Sequence, residues 1–349
     1  KLSAPGKSKV YAVAINPESA IMMGGHTANS VAWIDDVNLR WVTTGYYTEG
    51  LSRSADEMNV SGNFKKLASR KWEPLFPLNF YNSGKSQTGK NGNFSYYPTD
   101  RASNKLPETL LRRTPAANTL VSELARQIID AENLGYDNEP DVLLLQYTVK
   151  TPKERINSLE TNEKEDIYYR LDREIQLLLE HIDRRTGNGN TLYFLFGNQT
   201  DPYSPNELGD NRIPAGYFSA NRSMALLNTY LMAIYGQEKW VEGYFAKNIY
   251  LNRNLIAARK INLIEIRKTV SEFMIEFEGV QAAYESSELF NLASDENSAS
   301  MKIRNSVHKS NLGDVTISLM PGWLEFDEKY GFTSESSAII SRAPFYMFG

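Results

Sequence analysis

Histidine and carboxylate side chains are the groups in this sequence that could bind a metal ion or transfer a proton. The sequence contains only three histidines, His26, His181 and His308, and they are far apart along the chain. His26 is expected to pack on or cap a turn, and His181 is expected at the surface or edge of a predicted helix. The adjacent Asp35 and Asp36 indicate a turn rather than a metal pair. The spacing of these residues therefore does not by itself predict a metal centre.

Two Gly-Lys-Ser triplets imitate the end of a phosphate-binding P-loop. The glycine required five places before Gly84-Lys85-Ser86 is Asn79, and Lys1 occupies that place for Gly6-Lys7-Ser8. Both triplets are therefore interpreted as solvated loops. The sequence has no His-Glu-x-x-His and no Gly-x-Ser-x-Gly motif, and it has no cysteine. These absences exclude a thiol nucleophile and a thiolate metal site.

Length and composition indicate a globular protein of one large domain or two ordinary ones. The chain has 349 residues, of which 41% are hydrophobic and 23% are charged. Lys and Arg number 38 against 42 Asp and Glu, which gives a formal net charge of -4. A weakly acidic surface argues against a general nucleic-acid binder, because such proteins need clustered cations. No apolar run reaches the ~18 residues that a membrane-spanning helix requires.

Alternating helix and strand patterns predict an α/β protein. Apolar runs predict strands at residues 10–15, 33–36, 41–44, 141–148, 191–196, 314–319 and 344–349. Amphipathic runs predict helices at residues 119–132, 163–184, 221–235 and 261–276. Residues 52–105 lack periodicity, and we expect them to run over the surface as a long excursion. The expected organisation is a first core strand and turn at 1–25, a cap-like insertion at 26–113 and an α/β core at 114–349.

Several short segments, in order along the chain, together resemble the alkaline phosphatase superfamily. The similarity is greatest to its bacterial, Bacteroidetes-type phosphodiesterase and phosphomonoesterase branch. The segments that carry it are Ala20–His26 with Trp33, Trp41–Tyr47, Thr114–Asn118, Glu132–Gly135, Pro140–Leu145, Glu163–Asp172, Gly187–Asn190, Arg212–Phe218, Ile249–Asn252, Gly313-Asp314-Val315 and Pro321-Gly322-Trp323. The resemblance implies an α/β/α sandwich with a central, mostly parallel sheet and a cap-like insertion.

The resemblance also implies a chemistry for which this chain lacks the residues. Members of the family hydrolyse phosphate esters with two zinc ions held by Asp and His, and a Thr or Ser attacks phosphorus. Counted from the matching segments, the positions of metal ligands here hold Thr151, Arg155, Asn198, Gln199 and Arg342. Neutral amides and cations are poor ligands for a dication. We therefore expect no zinc cofactor and no catalytic residues in this chain.

A second departure from the family lies directly after the first strand. The family has a phosphate-binding Lys-x-Arg there, and this chain has Asn16-Pro17-Glu18. The family's N-terminal segment, which carries the first metal Asp and the nucleophile, has no counterpart in these residues. We expect an N-terminal fragment or another part of a precursor to complete the sheet, because a sheet without it would have open edges.

The two arginines leave two interpretations open. Arg155 and Arg342, together with Asn198 and Gln199, would form a fixed positive site that binds a small anionic ligand such as a phosphate or carboxylate. Alternatively, both arginines lie at the surface in ion pairs with Asp or Glu.

Three functions compete on this evidence. The first is a pseudoenzyme that acts as a binding component. The second is an active phosphate ester hydrolase whose nucleophile lies in the missing segment and whose metal ligands are recruited from Asp201, Glu207, Asp210 or His308. The third is an assembly component with a protein partner. The resemblance implies export to the periplasm or the cell surface.

Overall fold

The computed structural model of the protein describes residues 8–35, 37–47, 50–68, 70, 72–81, 111–149, 162–197, 205–289, 299–306, 308, 311–327, 331–334 and 344–349. Helices and strands alternate along these residues, which confirms the predicted α/β class. In chain order the elements are β1 (Val10–Ala14), α1 (Pro17–Gly24), β2 (Ser30–Asp35), β3 (Arg40–Val42), α2 (Arg53–Val60), α3 (Asn63–Ala68), α4 (Pro115–Glu132), β4 (Val142–Leu145), α5 (Asn162–Thr186), β5 (Tyr193–Phe196), α6 (Pro205–Asp210), β6 (Gly216–Ser219), α7 (Ala220–Tyr235), β7 (Val241–Phe245), β8 (Asn248–Leu251), α8 (Arg253–Ala258), α9 (Leu263–Ile275), β9 (Val280–Glu285), α10 (Ser286–Leu289), α11 (Ala299–Ser306), β10 (Val315–Leu319), β11 (Trp323–Asp327), β12 (Gly331–Ser334) and β13 (Phe345–Phe348).

These elements belong to two compact units. The first contains β1 to β5, α1 to α5 and the last strand, β13, and the second contains α6 to α11 and β6 to β12. Neither unit contains, in its described residues, a helix with the length and apolar character needed to span a membrane.

The main sheet of the first unit has the strand order β3-β2-β1-β4. β1 is parallel to both β2 and β4, and β3 is antiparallel to β2. β1 is buried on both faces, with Tyr11 and Val13 in one apolar cluster and Ala12 and Ala14 in another. The small alanines face α1, and the larger side chains face α2, α3 and α4. A strand with helices on both faces explains why its sequence is apolar without alternation.

Helix α4 closes the larger of these two clusters. It begins with Pro115 directly after Thr114, and proline is favoured there because the first helical N–H needs no partner. Its apolar side chains recur every three or four residues and are buried in the cluster; they are Leu120, Val121, Leu124, Ala125, Ile128 and Ile129. The predicted helix at 119–132 is therefore confirmed, with one further turn at its start.

Residues 53–68 differ from the sequence-based expectation. They form α2 and α3, and Ala55, Met58 and Phe64 are buried in the same cluster as α4. The prediction that residues 52–105 run over the surface is therefore wrong for this stretch, and residues 82–105 lie outside the described part of the chain. β2 and β3, which fall within the predicted insertion, are strands of the main sheet. The division at residues 25 and 113 stays a prediction.

The second unit holds an antiparallel sheet of order β7-β8-β10-β9 and a sheet of order β12-β11-β6. Its core includes Leu227 and Leu231 of α7, Trp240 directly before β7, and Ile266 and Val270 of α9. Of the strands in this unit, the sequence predicted only β10. The remaining sheet, β13-β5, is a two-stranded antiparallel ribbon in the first unit.

Candidate functional site

The four residues predicted to bind an anion, Arg155, Arg342, Asn198 and Gln199, lie outside the residues that the structure describes. Thr151 does as well. What the structure does describe is the carboxyl edge of β1 and β4, from which the chain runs toward Thr151 and Arg155. In a parallel sheet this edge is where ligands bind, because several strand ends and helix starts meet there.

The chain turns from β1 into α1 at Asn16. Asn16 has an extended backbone, and its side-chain Oδ1 accepts a hydrogen bond from the backbone N–H of Ser19 at 2.8 Å. This contact is an N-cap, and Pro17 follows it at the first helical position. Glu18 lies exposed in the first turn, where its carboxylate is favourable for the helix and repulsive for an incoming anion. The segment is built to begin a helix, and its charge is negative.

Gln146 connects the ends of β1 and β4. Its Oε1 accepts a hydrogen bond from the backbone N–H of Ile15 at 3.1 Å, and its Nε2 donates to the backbone oxygen of Tyr147 at 2.7 Å. Both polar ends of this amide are therefore engaged with the backbone. The sequence contained a signal for it, since Gln146 is the first polar residue after the apolar run of β4.

Asn118 of α4 hydrogen-bonds the backbone of Thr148, two residues after Gln146. Its Nδ2 donates to the backbone oxygen of Thr148 at 2.8 Å, and its Oδ1 accepts from the backbone N–H of Thr148 at 3.0 Å. Asn118 is 2% exposed, so both bonds are shielded from water. The segment Thr114–Asn118, which carries part of the family resemblance, thus fixes the path of the chain after β4.

Tyr147 lies between these two amides, and its hydroxyl is 3.0 Å from Oγ of Ser122. Burial raises the pKa of Tyr147 to about 12, because the phenolate form would lose its hydration. The phenol is therefore neutral at physiological pH. The carboxyl edge of β4 offers hydrogen-bonding groups that orient the chain, and none of them titrates near neutrality.

Among the described residues of the first unit, Asp166 in α5 is the carboxylate that accepts the most hydrogen bonds. It is fully buried, and it accepts hydrogen bonds from Nε1 of Trp72, from the hydroxyl of Tyr81 and from the backbone N–H of Leu75, at 2.6, 2.7 and 2.6 Å. Arg170, one turn further along the helix, forms an ion pair with it at 2.6 Å. Burial, followed by the hydrogen bond to Asp166, raises the pKa of Tyr81 to about 12. Asp166 anchors the 72–81 segment and has no capacity left for a metal ion.

The structure describes all three histidines. His26 Nδ1 is 3.0 Å from the hydroxyl of Tyr46, beside the turn after α1, which confirms its expected place at a turn. His181 Nε2 is 3.1 Å from Oδ1 of Asp130 and joins α5 to α4. His308 is exposed. Within the described ranges no group of three or more His, Cys, Asp or Glu side chains is placed to hold a metal ion.

The residues considered for recruitment as ligands are only partly described. Asp210 is exposed at the end of α6. Asp201 lies outside the described residues, and so does the side chain of Glu207. The recruitment of these groups stays a prediction.

One buried carboxylate of the second unit is Asp314, which precedes β10. It is 1% exposed, and it forms ion pairs with Arg267 at 2.6 Å and with Arg253 at 3.1 Å. It also accepts a hydrogen bond from the backbone N–H of Leu251 at 2.9 Å. Asp314 therefore ties β8, α8 and α9 together, and the Gly313-Asp314-Val315 segment of the resemblance is explained by that role.

A second polar group in this unit lies around Glu325 of β11. The hydroxyl of Tyr244 donates to Oε2 of Glu325 at 3.1 Å. Burial, followed by the nearby charge of Glu325, raises the pKa of Tyr244, and burial lowers the pKa of Lys247. Both shifts follow from the loss of water around these side chains.

Comparisons with known proteins identify relatives along most of the chain. It is 25% identical over 336 residues to alkaline phosphatase PafA of Elizabethkingia meningoseptica, across 93% of this chain and 61% of that protein. It is 26% identical over 292 residues to a protein named calcium-transporting ATPase of Myroides odoratus, across 80% and 53%. It is 25% identical over 328 residues to alkaline phosphatase PhoV of Synechococcus elongatus, across 91% and 58%.

The fold is that of a solved alkaline phosphatase. The crystal structure of wild-type PafA superposes with a TM-score of 0.81 at 23% identity, and the match covers 98% of this chain and 67% of PafA. No family model matches the sequence. The chain thus spans between about half and three-fifths of the length of the curated relatives that it matches.

Proposed function

Because the chain belongs to the alkaline phosphatase superfamily, we propose that it is a catalytically inactive relative of these phosphatases that acts by binding. The ligand of this proposal is a small anion such as phosphate or a carboxylate. A protein partner, with the chain as an assembly component, is the alternative form of the same proposal. Neither form needs a nucleophile or a metal ion from this chain.

The observation that carries the proposal is the structure at the end of β1. The family resemblance places a phosphate-binding Lys-x-Arg there, whereas Asn16 uses its side chain to cap α1 and Glu18 exposes a carboxylate. An exposed carboxylate raises the free energy of an anionic phosphate ester close to it, whereas two cations would lower it. The end of β1 therefore supports the loss of the family's hydrolysis, and the small anion of this proposal would bind at Arg155 and Arg342 instead.

The residue types at the remaining positions support the same conclusion. Asn198 and Gln199 carry no charge, and Arg155 and Arg342 would repel a dication. This donor set does not fit two zinc ions, which need carboxylate and imidazole ligands. Two guanidinium groups with two amides instead fit an anion, since arginine binds carboxylate and phosphate oxygens through paired N–H groups.

A hydrolysis assay on the complete protein tests the proposal. The protein is purified, supplied with zinc, and given p-nitrophenyl phosphate and bis-p-nitrophenyl phosphate in separate reactions. We expect no release of nitrophenolate above that of zinc alone. Robust turnover, together with two zinc ions retained per chain after dialysis, would reject the proposal.

Titration calorimetry with inorganic phosphate tests the anion site. We expect Arg155→Ala and Arg342→Ala each to weaken phosphate binding at least ~10-fold, because each removes a charge-assisted bond worth about 1.5–3 kcal/mol. Arg53→Ala is the matched control, since Arg53 is exposed on α2 and pairs with Glu57. Equal phosphate affinity in all three variants would exclude these arginines as the site.

An active phosphate ester hydrolase is the second candidate, and the names of PafA and PhoV as alkaline phosphatases favour it. It requires a nucleophile from polypeptide outside these residues and metal ligands such as Asp201 or Asp210. Under this candidate Asp201→Ala and Asp210→Ala abolish activity in the assay above, whereas unchanged rates remove both residues from the site. We also infer export to the periplasm or cell surface, which cell fractionation checks directly.

A further inference from the structure

The hairpin turn between β7 and β8 has a backbone conformation that its residue types rarely adopt. Phe245 pairs with Asn248, so only Ala246 and Lys247 form the turn, and both have positive φ angles, 47° and 65°. Turns of this type usually contain asparagine and glycine, because a Cβ atom strains the backbone in the left-handed region. Such strain persists only where the surrounding structure imposes it, and it is concentrated at functional sites.

Hydrogen bonds from two strands hold this turn in place. Nδ2 of Asn248 donates to the backbone oxygen of Ala246, and the backbone N–H of Ile317 in β10 donates to the backbone oxygen of Lys247, both at 2.9 Å. Asn248 is 7% exposed, and its Oδ1 accepts a hydrogen bond from the hydroxyl of Thr316 at 2.8 Å. The strands β8 and β10 therefore fix the backbone from which the side chain of Lys247 extends.

The side chain of Lys247 is half-buried, and its amine lacks the partners that a buried ammonium group needs. Among the described residues, no group forms an ion pair or a hydrogen bond with this amine. Glu325 of β11 acts on it through its charge; this carboxylate is 6% exposed and accepts a hydrogen bond from Tyr244. Burial lowers the pKa of Lys247, so more of its amine is uncharged and nucleophilic than at an exposed lysine.

We propose that Lys247 is a site at which small, uncharged aldehydes bind covalently as imines. The nitrogen lone pair attacks the aldehyde carbon, and a C=N bond replaces the C=O bond. The carbonyl oxygen leaves as water together with the two amine protons. The imine then takes a proton from solvent, and the nearby carboxylate of Glu325 stabilises the resulting cation. The same carboxylate disfavours an anionic aldehyde, so the site selects an uncharged one. This inference holds whether or not the protein hydrolyses phosphate esters.

Reductive trapping on the complete protein tests the inference. The protein is incubated near pH 7 with sodium cyanoborohydride and either benzaldehyde or p-carboxybenzaldehyde. Mass spectrometry of the digested protein then gives the initial labelling rate at each lysine, with the exposed Lys65 and Lys239 as references. We expect benzaldehyde to label Lys247 at least ~5-fold faster than either reference, because more of its amine is uncharged. Labelling of Lys247 that is no faster than that of the references overturns the inference.

The anionic aldehyde tests the role of Glu325. We expect p-carboxybenzaldehyde to show no preference for Lys247, and an equal preference with both aldehydes overturns the selection of an uncharged ligand. In Glu325→Gln the ratio of the two labelling rates at Lys247 should fall at least ~3-fold, toward the ratio at Lys239. Glu242→Gln is the matched control, since Glu242 is exposed on β7, and it should keep the parent ratio. An unchanged ratio in a folded Glu325→Gln variant contradicts the proposed site.

Labelling of the parent protein in concentrated urea decides the matter even where Glu325→Gln does not fold. Unfolding removes the turn and separates Lys247 from Glu325, so the preference of benzaldehyde for Lys247 should disappear. A preference that survives in urea would come from the local sequence and overturns the inference.

Discussion

The side-chain amide of Asn118 binds the main chain of Thr148 in both directions, donating at 2.8 Å and accepting at 3.0 Å. Asn59 binds the main chain of Trp41 in the same way, at 3.0 and 2.6 Å. In each case the side-chain amide of an asparagine on a helix hydrogen-bonds backbone groups in a strand or just after one. The amide takes the place that a neighbouring strand would otherwise fill. The first of these contacts fixes the chain three residues after β4.

Replacing Asn118 by Ala should lower the free energy of unfolding by about 1–3 kcal/mol, because the partly buried N–H and C=O of Thr148 lose their partners. Urea unfolding followed by circular dichroism measures the change. Gln127→Ala, a half-buried amide on the same helix, is the control and should cost less than about 1 kcal/mol. Equal losses in the two variants would contradict the role given to Asn118.

Asp166→Ala should be more damaging, by about 3–5 kcal/mol, because it leaves Arg170 unpaired and removes the acceptor of Trp72 and Tyr81. Limited proteolysis should then cut the 72–81 segment first. Asp172→Ala, an exposed carboxylate on the same helix, should change the free energy of unfolding by less than about 0.5 kcal/mol. An Asp166→Ala variant as stable and as protease-resistant as the parent would show that the anchor is dispensable.

Gly279→Ala tests the packing of Trp323 in the second unit. A Cβ at Gly279 would overlap Cε3 of Trp323, and the φ angle of +88° is itself unfavourable for alanine. The clash and the backbone strain together should cost about 2–5 kcal/mol in thermal or urea unfolding. Gly236→Ala isolates the strain, because its φ is +106° and nothing lies near its Cβ. We expect a clearly smaller loss there, and similar losses at both sites would exclude the clash.

Glu285 should make stability depend on pH. Burial raises the pKa of its carboxyl, and the nearby Glu288 acts in the same direction, against Arg267 and Lys268. Because the folded-state pKa is the higher one, the stabilising contribution is complete at low pH and is lost as pH rises through the folded-state pKa. Glu285→Gln keeps the side chain neutral, so this variant should be more stable than the parent near pH 7.

The difference between Glu285→Gln and the parent should shrink toward zero below about pH 4, where the parent carboxyl becomes protonated in both states. Urea unfolding at several pH values measures it. Glu242→Gln is the control, since Glu242 is exposed on β7 and its replacement should leave the pH profile unchanged. A Glu285→Gln variant that is less stable than the parent at every pH would contradict the assigned sign.

Restoring the ligand types that the family resemblance implies should restore zinc binding. The variant carries Thr151→Asp, Arg155→His, Asn198→Asp, Gln199→His and Arg342→His, which together supply carboxylate and imidazole donors. We expect zinc affinity to rise by on the order of 100-fold or more, measured as metal retained after dialysis. Asn188→Asp with Gln237→His is the control, because it adds the same types elsewhere. No gain over that control would mean that these five positions do not converge.

The sequence predicted the elements whose signal is local. The apolar runs at β1, β4, β5, β10 and β13 and the spacing of buried side chains in α4, α5, α7 and α9 each indicated the right type of element. The order of the strands and the burial of Phe64 in α3 were not readable in the same way. Polar side chains dominate α2 and α3, and only contact with α4 decides that their few apolar groups are buried.

The candidate site divides in the same manner. Residue types alone established that the chain lacks cysteine and that it has three histidines, and the family resemblance led us to expect a cation at the position of Glu18. Only the tertiary structure decided that Asp166 and Asp314 hold the fold together, and that Asn16 and Asn118 are bound to backbone groups. The reason is physical: a side chain's charge and hydrogen-bonding groups are present in the sequence, but the partners that occupy them come from distant residues, 94 positions apart for Trp72 and Asp166 and 131 for Ile15 and Gln146.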